Sequence, residues 1–260
     1  MATVLVPGFF VGFFGLPVFL GSEQNDQIFL TPGEGANAEI LLLNGNDSLQ
    51  SPNINDRLLV NGNAGSDTIT GGFNTDTLFG GTDDDRIFAN SGSDQVFGNV
   101  GNDVIEGGFN GDTLYGGRDN DNLFGDEGND ALFGDLGNDL LDGDGDRDDL
   151  FGGLGDDTFV IDPAEASRDF IRVDFIGDFQ AGNTASVGDK IAMPDNFESE
   201  IDERSLERNI DINQDGRLDI AIQLDDGRFV GVLLDSATAP LPERLDLDID
   251  FIFSDSFDFA

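Results

Sequence analysis

The 260-residue chain carries 53 acidic against 12 basic residues, and its formal charge of −41 argues against nucleic acid or an anionic membrane as a partner. It has no Cys and no His, which excludes disulfides, thiolate ligands, a Ser-His-Asp triad and His-based zinc sites. Charge of this density is typical of disordered chains, but 24 Phe and 38% hydrophobic residues indicate a folded core, with bound cations relieving the repulsion.

Residues 1–20 are uncharged and apolar, so a membrane span or a signal peptide is one interpretation of them. However, the segment has no basic start and no clear small-residue cleavage site, and Gly and Pro residues interrupt it repeatedly. We therefore expect no membrane span and interpret this segment as the start of a cap.

Residues 1–61 contain an irregular form of an Asp-x-apolar pattern that becomes regular further along the chain. The triplets are Asp26–Ile28, Asp47–Leu49 and Asp56–Leu58. The block of residues 12–20 fits the same pattern, with Phe19 inward and Pro17 in the place of the Asp. Asp56 and Asp67 are eleven residues apart rather than nine, which implies a two-residue insertion. We predict that residues 1–61 form degenerate, largely metal-free coils that cap a solenoid core.

Residues 62–160 consist of tandem nine-residue repeats with an Asp at the sixth place of each. These are Asp67, Asp76, Asp85, Asp94, Asp103, Asp112, Asp121, Asp130, Asp139, Asp148 and Asp157. Two places after each Asp is an apolar residue, in order Ile69, Leu78, Ile87, Val96, Ile105, Leu114, Leu123, Leu132, Leu141, Leu150 and Phe159. The first place is Gly in every repeat except at Ala89, so the period is too regular to arise by chance.

The fourth place of the repeat is always Gly, Asn or Asp, the residues that best tolerate a left-handed backbone, so we predict a positive φ there. Each nonapeptide is then interpreted as a six-residue turn followed by a three-residue strand. Only the middle residue of that strand, at the eighth place, is expected to face inward, because successive side chains alternate between faces.

The repeats have the form G-G-x-G-x-D-x-U-x, where U is apolar, and resemble the hemolysin-type (RTX) calcium-binding repeats. The resemblance implies an all-β fold, a right-handed parallel β-roll (β-solenoid), with Ca²⁺ ions between stacked turns. The resemblance also implies that two repeats make one coil, so residues eighteen apart would become neighbours. We therefore expect residues 62–160 to form the calcium-binding roll and residues 161–260 a β-rich C-terminal cap.

The repeated Asp residues are our candidate metal ligands, since Ca²⁺ takes 6–8 oxygen ligands and a glycine-rich turn can add backbone carbonyls. Alternate repeats stack into two Asp ladders. One contains Asp67, Asp85, Asp103, Asp121, Asp139 and Asp157, and the other Asp76, Asp94, Asp112, Asp130 and Asp148. Carboxylates stacked at the strand spacing of ~4.8 Å repel strongly unless a dication lies between them. The alternative is that these residues only cap turns.

The ninth place of every second repeat is aromatic, and these side chains are expected to face outward from one sheet. They are Phe79, Phe97, Tyr115, Phe133 and Phe151. An exposed apolar stripe of five rings is larger than proteins usually leave in contact with water unless it contacts something. Four alternatives remain for what covers this stripe: the terminal regions of the chain, a second copy of the chain, a partner protein or a glycan.

The nine-residue period ends near Ile161. The segment Asp174–Asp195 loosely resembles the one that follows the repeats in many RTX proteins. Strands are predicted at Asp219–Leu224 and Arg228–Leu234, joined as a hairpin. Before them, Asp211, Asn213, Asp215 and Asp219 occupy places 1, 3, 5 and 9 of a D-x-N-x-D-G-x-x-D calcium loop, which makes them further candidate ligands.

The expected function is that of a secreted calcium-binding scaffold for a matrix, surface layer or adhesive contact. The resemblance implies type I secretion through an uncleaved C-terminal signal, and the final segment, residues 246–260, is similar to one. We expect no catalytic activity, since only degenerate coils precede the roll. An accessory module of a secreted protease, lipase or polysaccharide epimerase, a glycan- or partner-binding module, and a carboxylate-based glycosidase are the alternatives.

Overall fold

The structure is a computed structural model. It describes residues 10–11, 17–30, 38–51, 57–162, 173–180, 188–193, 219–224, 227–234 and 251–253. Every regular element in these ranges is a β-strand. In chain order the strands are β1 (Phe10–Val11), β2 (Pro17–Leu20), β3 (Gln27–Phe29), β4 (Ala38–Leu41), β5 (Ser48–Gln50), β6 (Leu58–Ala64), β7 (Thr68–Thr70), β8 (Thr77–Thr82), β9 (Arg86–Phe88), β10 (Gln95–Val100), β11 (Val104–Phe109), β12 (Thr113–Arg118), β13 (Asn122–Glu127), β14 (Ala131–Leu136), β15 (Leu140–Asp142), β16 (Asp149–Leu154), β17 (Thr158–Val160), β18 (Asp174–Ile176), β19 (Lys190–Met193), β20 (Ile220–Gln223), β21 (Phe229–Leu233) and β22 (Phe251–Phe253).

The strands alternate between two sheets, as a β-roll requires. A twelve-stranded sheet has the order β1-β2-β4-β6-β8-β10-β12-β14-β16-β18-β21-β20, and a ten-stranded sheet has the order β22-β19-β17-β15-β13-β11-β9-β7-β5-β3. Among the described strands, pairing is parallel except for β1 with β2 and β20 with β21. Within the repeats the register is eighteen residues, as in the pairing of Val96 with Leu114. The predicted all-β parallel roll is confirmed.

The core is the space between the two sheets, and the eighth place of every repeat fills it. All eleven of these apolar side chains, from Ile69 to Phe159, are fully buried. Full burial of one such side chain stabilises the fold by about 1.5–3 kcal/mol. Seven strands between β8 and β16 are longer than predicted: they run for six residues, from the seventh place into the third place of the next repeat. The glycine at the first place is therefore a second inward position.

Two places in each turn adopt left-handed backbone at most repeats. Positive φ at the fourth place is confirmed at most repeats, including Asp83 (78°) and Asn110 (76°), although Asn74 is an exception. The second place also has positive φ, as at Asn99 (80°) and Asp135 (71°), which the sequence analysis missed. The sequence does contain a signal for this second left-handed position, because the second place is also always Gly, Asn or Asp.

The N-terminal coils are longer than those of the repeats. Ile28 pairs with Leu49 and Ile40 pairs with Val60, so these coils contain extra residues, as the irregular register indicated. One predicted alignment is wrong. Val60, rather than Leu58, is the inward neighbour of Leu78, and Leu58 takes the place that an Asp occupies in the repeats. Asp56 lies outside the described residues, and so do the side chains of Pro17 and Phe19.

Beyond residue 160 both sheets continue through longer excursions of the chain. Ile176 pairs with Leu150 and Ile191 pairs with Phe159, so each of these connections is longer than the coil formed by two repeats. The predicted hairpin is present as β20 and β21. Strand β21 pairs with β18, so the hairpin closes one end of the twelve-stranded sheet.

Candidate metal centre

The sixth-place Asp residues stack into two continuous ladders, one at each edge of the roll where a turn meets a strand. None of the eleven side chains is more than 2% exposed. In each ladder a backbone N–H donates to the carboxylate of the next coil. Asp94 N–H donates to Asp112 Oδ1 at 2.7 Å, and Asp112 N–H donates to Asp130 Oδ1 at 2.7 Å. One oxygen of each carboxylate is thus committed to the fold.

The ladders extend beyond the repeats. At the N-terminal end, Asp26 N–H donates to Asp47 Oδ1 and Asp47 N–H donates to Asp67 Oδ1. At the C-terminal end, Asp148 N–H donates to Asp174 Oδ1 at 2.9 Å and Asp157 N–H donates to Asp189 Oδ1 at 3.0 Å. The repeat spacing did not predict Asp174 or Asp189 as members of the ladders. The triplet Asp189-Lys190-Ile191, which follows the repeat pattern, was the available signal.

The second oxygen of most ladder carboxylates is buried and accepts no hydrogen bond. Within the described residues this holds for Oδ2 of Asp47, Asp67, Asp85, Asp94, Asp103, Asp112, Asp121, Asp130, Asp139, Asp148 and Asp157. Asp76 is different, because its Oδ2 accepts from Gly72 N–H at 2.8 Å. Asp189 Oδ2 similarly accepts from Gln180 N–H at 2.7 Å. A buried carboxylate oxygen without a donor is costly and calls for a cation or a proton.

Six of the unpartnered oxygens face a backbone carbonyl across a glycine, namely Oδ2 of Asp67, Asp85, Asp103, Asp112, Asp130 and Asp139. A Cβ placed on Gly107 would lie 2.8 Å from Asp112 Oδ2 and 2.7 Å from the carbonyl oxygen of Gly125. The same construction on Gly125 gives 2.7 Å to Asp130 Oδ2 and 2.6 Å to the Gly143 carbonyl oxygen. At these rungs a carboxylate and a carbonyl from the next coil therefore converge on a space that a Cβ on the glycine would fill. We call this space the glycine cradle.

Burial raises the pKa of the ladder carboxyls well above 3.8. Loss of hydration is the main cause, neighbouring carboxylates add to it, and the hydrogen bond from the preceding backbone N–H opposes it. The pKa reaches about 8 at Asp85, Asp112 and Asp121. Burial also raises the pKa values of Asp148 and Asp174, and the charge of Asp174 raises that of Asp148 further. Keeping the ladder carboxylates ionised at neutral pH without a cation therefore costs considerable free energy.

The donor set of the glycine cradle fits Ca²⁺. Among the described residues no three acidic side chains converge on one point, so carbonyl oxygens have to complete any site. A carboxylate together with carbonyl oxygens is the ligand type that Ca²⁺ accepts in its flexible geometry. Asp219, from the predicted loop, is fully buried at the start of β20, far along the chain from the ladders. Asp211, Asn213 and Asp215 lie outside the described residues, so that loop remains a prediction.

The aromatic residues of the twelve-stranded sheet form one stack. Successive ring centroids lie 4.8–5.1 Å apart with interplanar angles of at most 11°. All five rings, from Phe79 to Phe151, are half-buried. Asn61 precedes the stack, and at its other end the ring of Phe151 lies against Gly177. This aromatic ladder is therefore a bounded surface feature.

The family profile described as the RTX calcium-binding nonapeptide repeat (4 copies) matches residues 59–159 in overlapping segments. That match covers both Asp ladders between Asp67 and Asp157. The central roll belongs to the RTX calcium-binding repeats. Calcium is therefore the metal that these repeats bind as a family.

The solved structures that are similar to this chain include the AlgE6R3 subunit from the Azotobacter vinelandii mannuronan C5-epimerase. It is 28% identical, with a TM-score of 0.40, and the match covers 58% of this chain and 83% of that one. No curated protein matches the chain. In the described part of the chain, no helix is long and apolar enough to cross a membrane.

Proposed function

We propose that the protein is a secreted scaffold whose roll folds when it binds calcium outside the cell. The observation that carries this proposal is the row of unpartnered Oδ2 atoms, six of which face a carbonyl across a glycine cradle. RTX repeat proteins are typically extracellular, which supports the proposed location. Type I secretion through an uncleaved C-terminal signal is part of the same proposal.

Different places of the repeat have different roles in the proposed cation site. Asp Oδ1 accepts a backbone N–H and fixes the carboxylate, so Oδ2 points into the cradle without further ordering. Glycine at the first place leaves the cradle open, and left-handed residues at the second and fourth places turn the backbone tightly between the sheets. When bound, Ca²⁺ supplies the positive charge that offsets the paired negative oxygens.

Coupling between folding and calcium follows from the charge of the chain. With a formal charge of −41 and buried carboxylates in every coil, the compact state without metal is strongly self-repelling. Extracellular calcium modules have dissociation constants of roughly 10⁻⁴–10⁻³ M, far above the free calcium of a cytosol. The chain would thus stay expanded inside the cell and become ordered outside.

We also propose that the roll has no catalytic role. Its buried acidic side chains are held in place as rungs of the two ladders, and an acid or base in catalysis needs access to a substrate. A second candidate function is binding of a protein or glycan on the aromatic ladder. The regular, half-exposed stack of five rings favours that candidate.

Circular dichroism of the full chain tests the main proposal. In EGTA we expect the spectrum of an expanded chain, and millimolar Ca²⁺ should produce a strand-rich spectrum that the same concentration of Mg²⁺ does not. Mg²⁺ is the matched control because it demands stricter octahedral geometry and dehydrates reluctantly. Identical strand-rich spectra in EGTA and in Ca²⁺ would show that folding and calcium binding are not coupled.

A further inference from the structure

A groove lies on the outer face of the ten-stranded sheet, where its strands run into the turns toward the other sheet. It encloses about 390 Å³, and Phe73, Phe88, Ser91, Glu106, Gly108 and Phe109 are among its lining residues. We call it the aromatic groove. It is separate from the aromatic ladder, which lies on the twelve-stranded sheet, and it uses none of the ladder Asp side chains.

Two exposed rings form the walls of the aromatic groove. Phe73 and Phe109 occupy the third place of two GGFN repeats and are 45% and 54% exposed. Ser91, at the same place of the coil between them, is bridged to Phe109, and its N–H donates to the Gly72 carbonyl at 3.4 Å. The two Phe residues are thus two strand spacings, about 9.6 Å, apart. The small side chain of Ser91 leaves the gap between them open.

The floor of the groove combines a ring with a carboxylate. Glu106 on β11 pairs with Phe88 on β9 and with Phe124 on β13, so it is flanked by aromatic residues on both sides. Burial raises the pKa of Glu106, and the charge of Arg86 opposes that shift. Gly108 also lines the groove, and its positive φ of 105° places its backbone against that of Asn90, another lining residue.

The charge around the groove is negative. Glu127 pairs with Phe109 and is exposed at the rim, and Asp126 also lines the groove. Arg86 is the cation that faces Glu106, so acidic groups outnumber it three to one here. Aromatic faces combined with carboxylates are the chemistry that recognises organic cations. The overall charge of −41 adds long-range attraction for positive ligands.

We propose that the aromatic groove binds a small soluble quaternary ammonium compound. A cation centred over Ser91 would lie about 4.8 Å from each of the two Phe positions, within the roughly 6 Å over which a ring attracts a cation. Glu106 supplies the counter-charge from below. A free solute fits better than a membrane headgroup, because the acidic turns beside the groove repel an anionic bilayer.

Amide NMR of the calcium-saturated protein tests the proposal with choline as the probe. We expect saturable shifts at Ser91 and Gly108, and binding at least several-fold weaker for 3,3-dimethylbutan-1-ol, the uncharged isostere of choline. Equal binding of the two compounds would overturn the cation site. Shifts that appear only with phosphatidylcholine vesicles would overturn the assignment to a soluble ligand.

Variants separate the site from the fold. Phe73→Ser and Phe109→Ser should each weaken choline binding between about twofold and thirtyfold, the range expected for one cation–π contact. Ser91→Phe should close the gap and abolish binding. Leu136→Ser, at the third place on the opposite edge and 44% exposed, is the matched control and should leave binding unchanged. Unchanged affinity in Phe109→Ser and Ser91→Phe would refute the proposal.

Discussion

The substitution Asp112→Asn should change stability in opposite directions with and without calcium. Asp112 Oδ1 accepts from Asp94 N–H, and Asp112 N–H donates to Asp130 Oδ1, both at 2.7 Å. Asparagine keeps both bonds and nearly the same volume. It replaces only the charged, unpartnered Oδ2 with an amide that can donate to the Gly125 carbonyl across the glycine cradle.

Without calcium, asparagine should stabilise the roll. Burial raises the pKa of Asp112 from 3.8 to about 8, so folding at pH 7 has to protonate it. The gap of about three units between the unfolded pKa of 3.8 and pH 7 corresponds to about 4 kcal/mol of unfolding free energy. Because neighbouring rungs share the effect, we expect the variant to gain about 2–4 kcal/mol in stability. With calcium, the variant leaves a buried cation short of a charged ligand, which should cost about 3–5 kcal/mol.

Two unfolding experiments measure these effects. In millimolar calcium, an m-value of about 2 kcal/mol per molar urea turns the expected loss into a midpoint lower by about 1.5–2.5 M. In EGTA, folding induced by sulfate should occur at a lower sulfate concentration than for the parent chain. Asp84→Asn is the control, since it removes the same charge from an exposed place where Asn102 and Asn120 stand in later coils. If Asp112→Asn lowered stability equally in both conditions, the glycine cradle would not be the calcium site.

Three further outcomes are expected. Gly107→Ala fills the cradle, so it should cost about 1–3 kcal/mol of stability in calcium and raise the calcium concentration at which half of the chain is folded. Ala89→Gly is the control and should change stability by less than about 1 kcal/mol. Equal effects of the two variants in urea melts would contradict this. Phe97→Ser should cost about 2–4 kcal/mol of stability because it breaks two stacked ring pairs. A variant as stable as the parent chain would argue against a structural role for the stack. Size-exclusion chromatography in calcium shows whether Phe97→Ser and Phe133→Ser also dissociate an oligomer. Burial raises the pKa of most ladder carboxyls from 3.8 to between about 6 and about 8, and that of Asp148 further still. The calcium-free roll should therefore be most stable below about pH 4 and lose that stability as the pH rises to 8 and beyond, which circular dichroism would detect. Stability that increased with pH would refute the sign.

The regular part of the fold could be predicted because its period is strict. With eighteen residues per coil, the inward position of Leu114 and the alignment of Asp94 with Asp112 follow from counting alone. Counting failed where coil length changes. Near Leu58 the extra residues made Asp56–Leu58 look like a repeat triplet, although the inward residue is Val60.

The details of the site could not be predicted from spacing. The pattern placed the Asp side chains in ladders, but it did not show that Oδ1 is used by a backbone N–H and that only Oδ2 is left for a cation. It also gave no reason to separate Asp76, whose Oδ2 accepts from Gly72 N–H. Asp174 and Asp189 were missed as rungs because the longer excursions of the chain before them hide their register.

The hydrogen bonds along both ladders all run the same way, from an Asp N–H to a carboxylate later in the chain. A coil that joins a stack from its N-terminal side finds its acceptor already in place, whereas the last coil of a shortened roll has a donor with nothing to meet it. Asp174 and Asp189 are therefore the rungs that accept the last N–H donors of the two repeat ladders, those of Asp148 and Asp157.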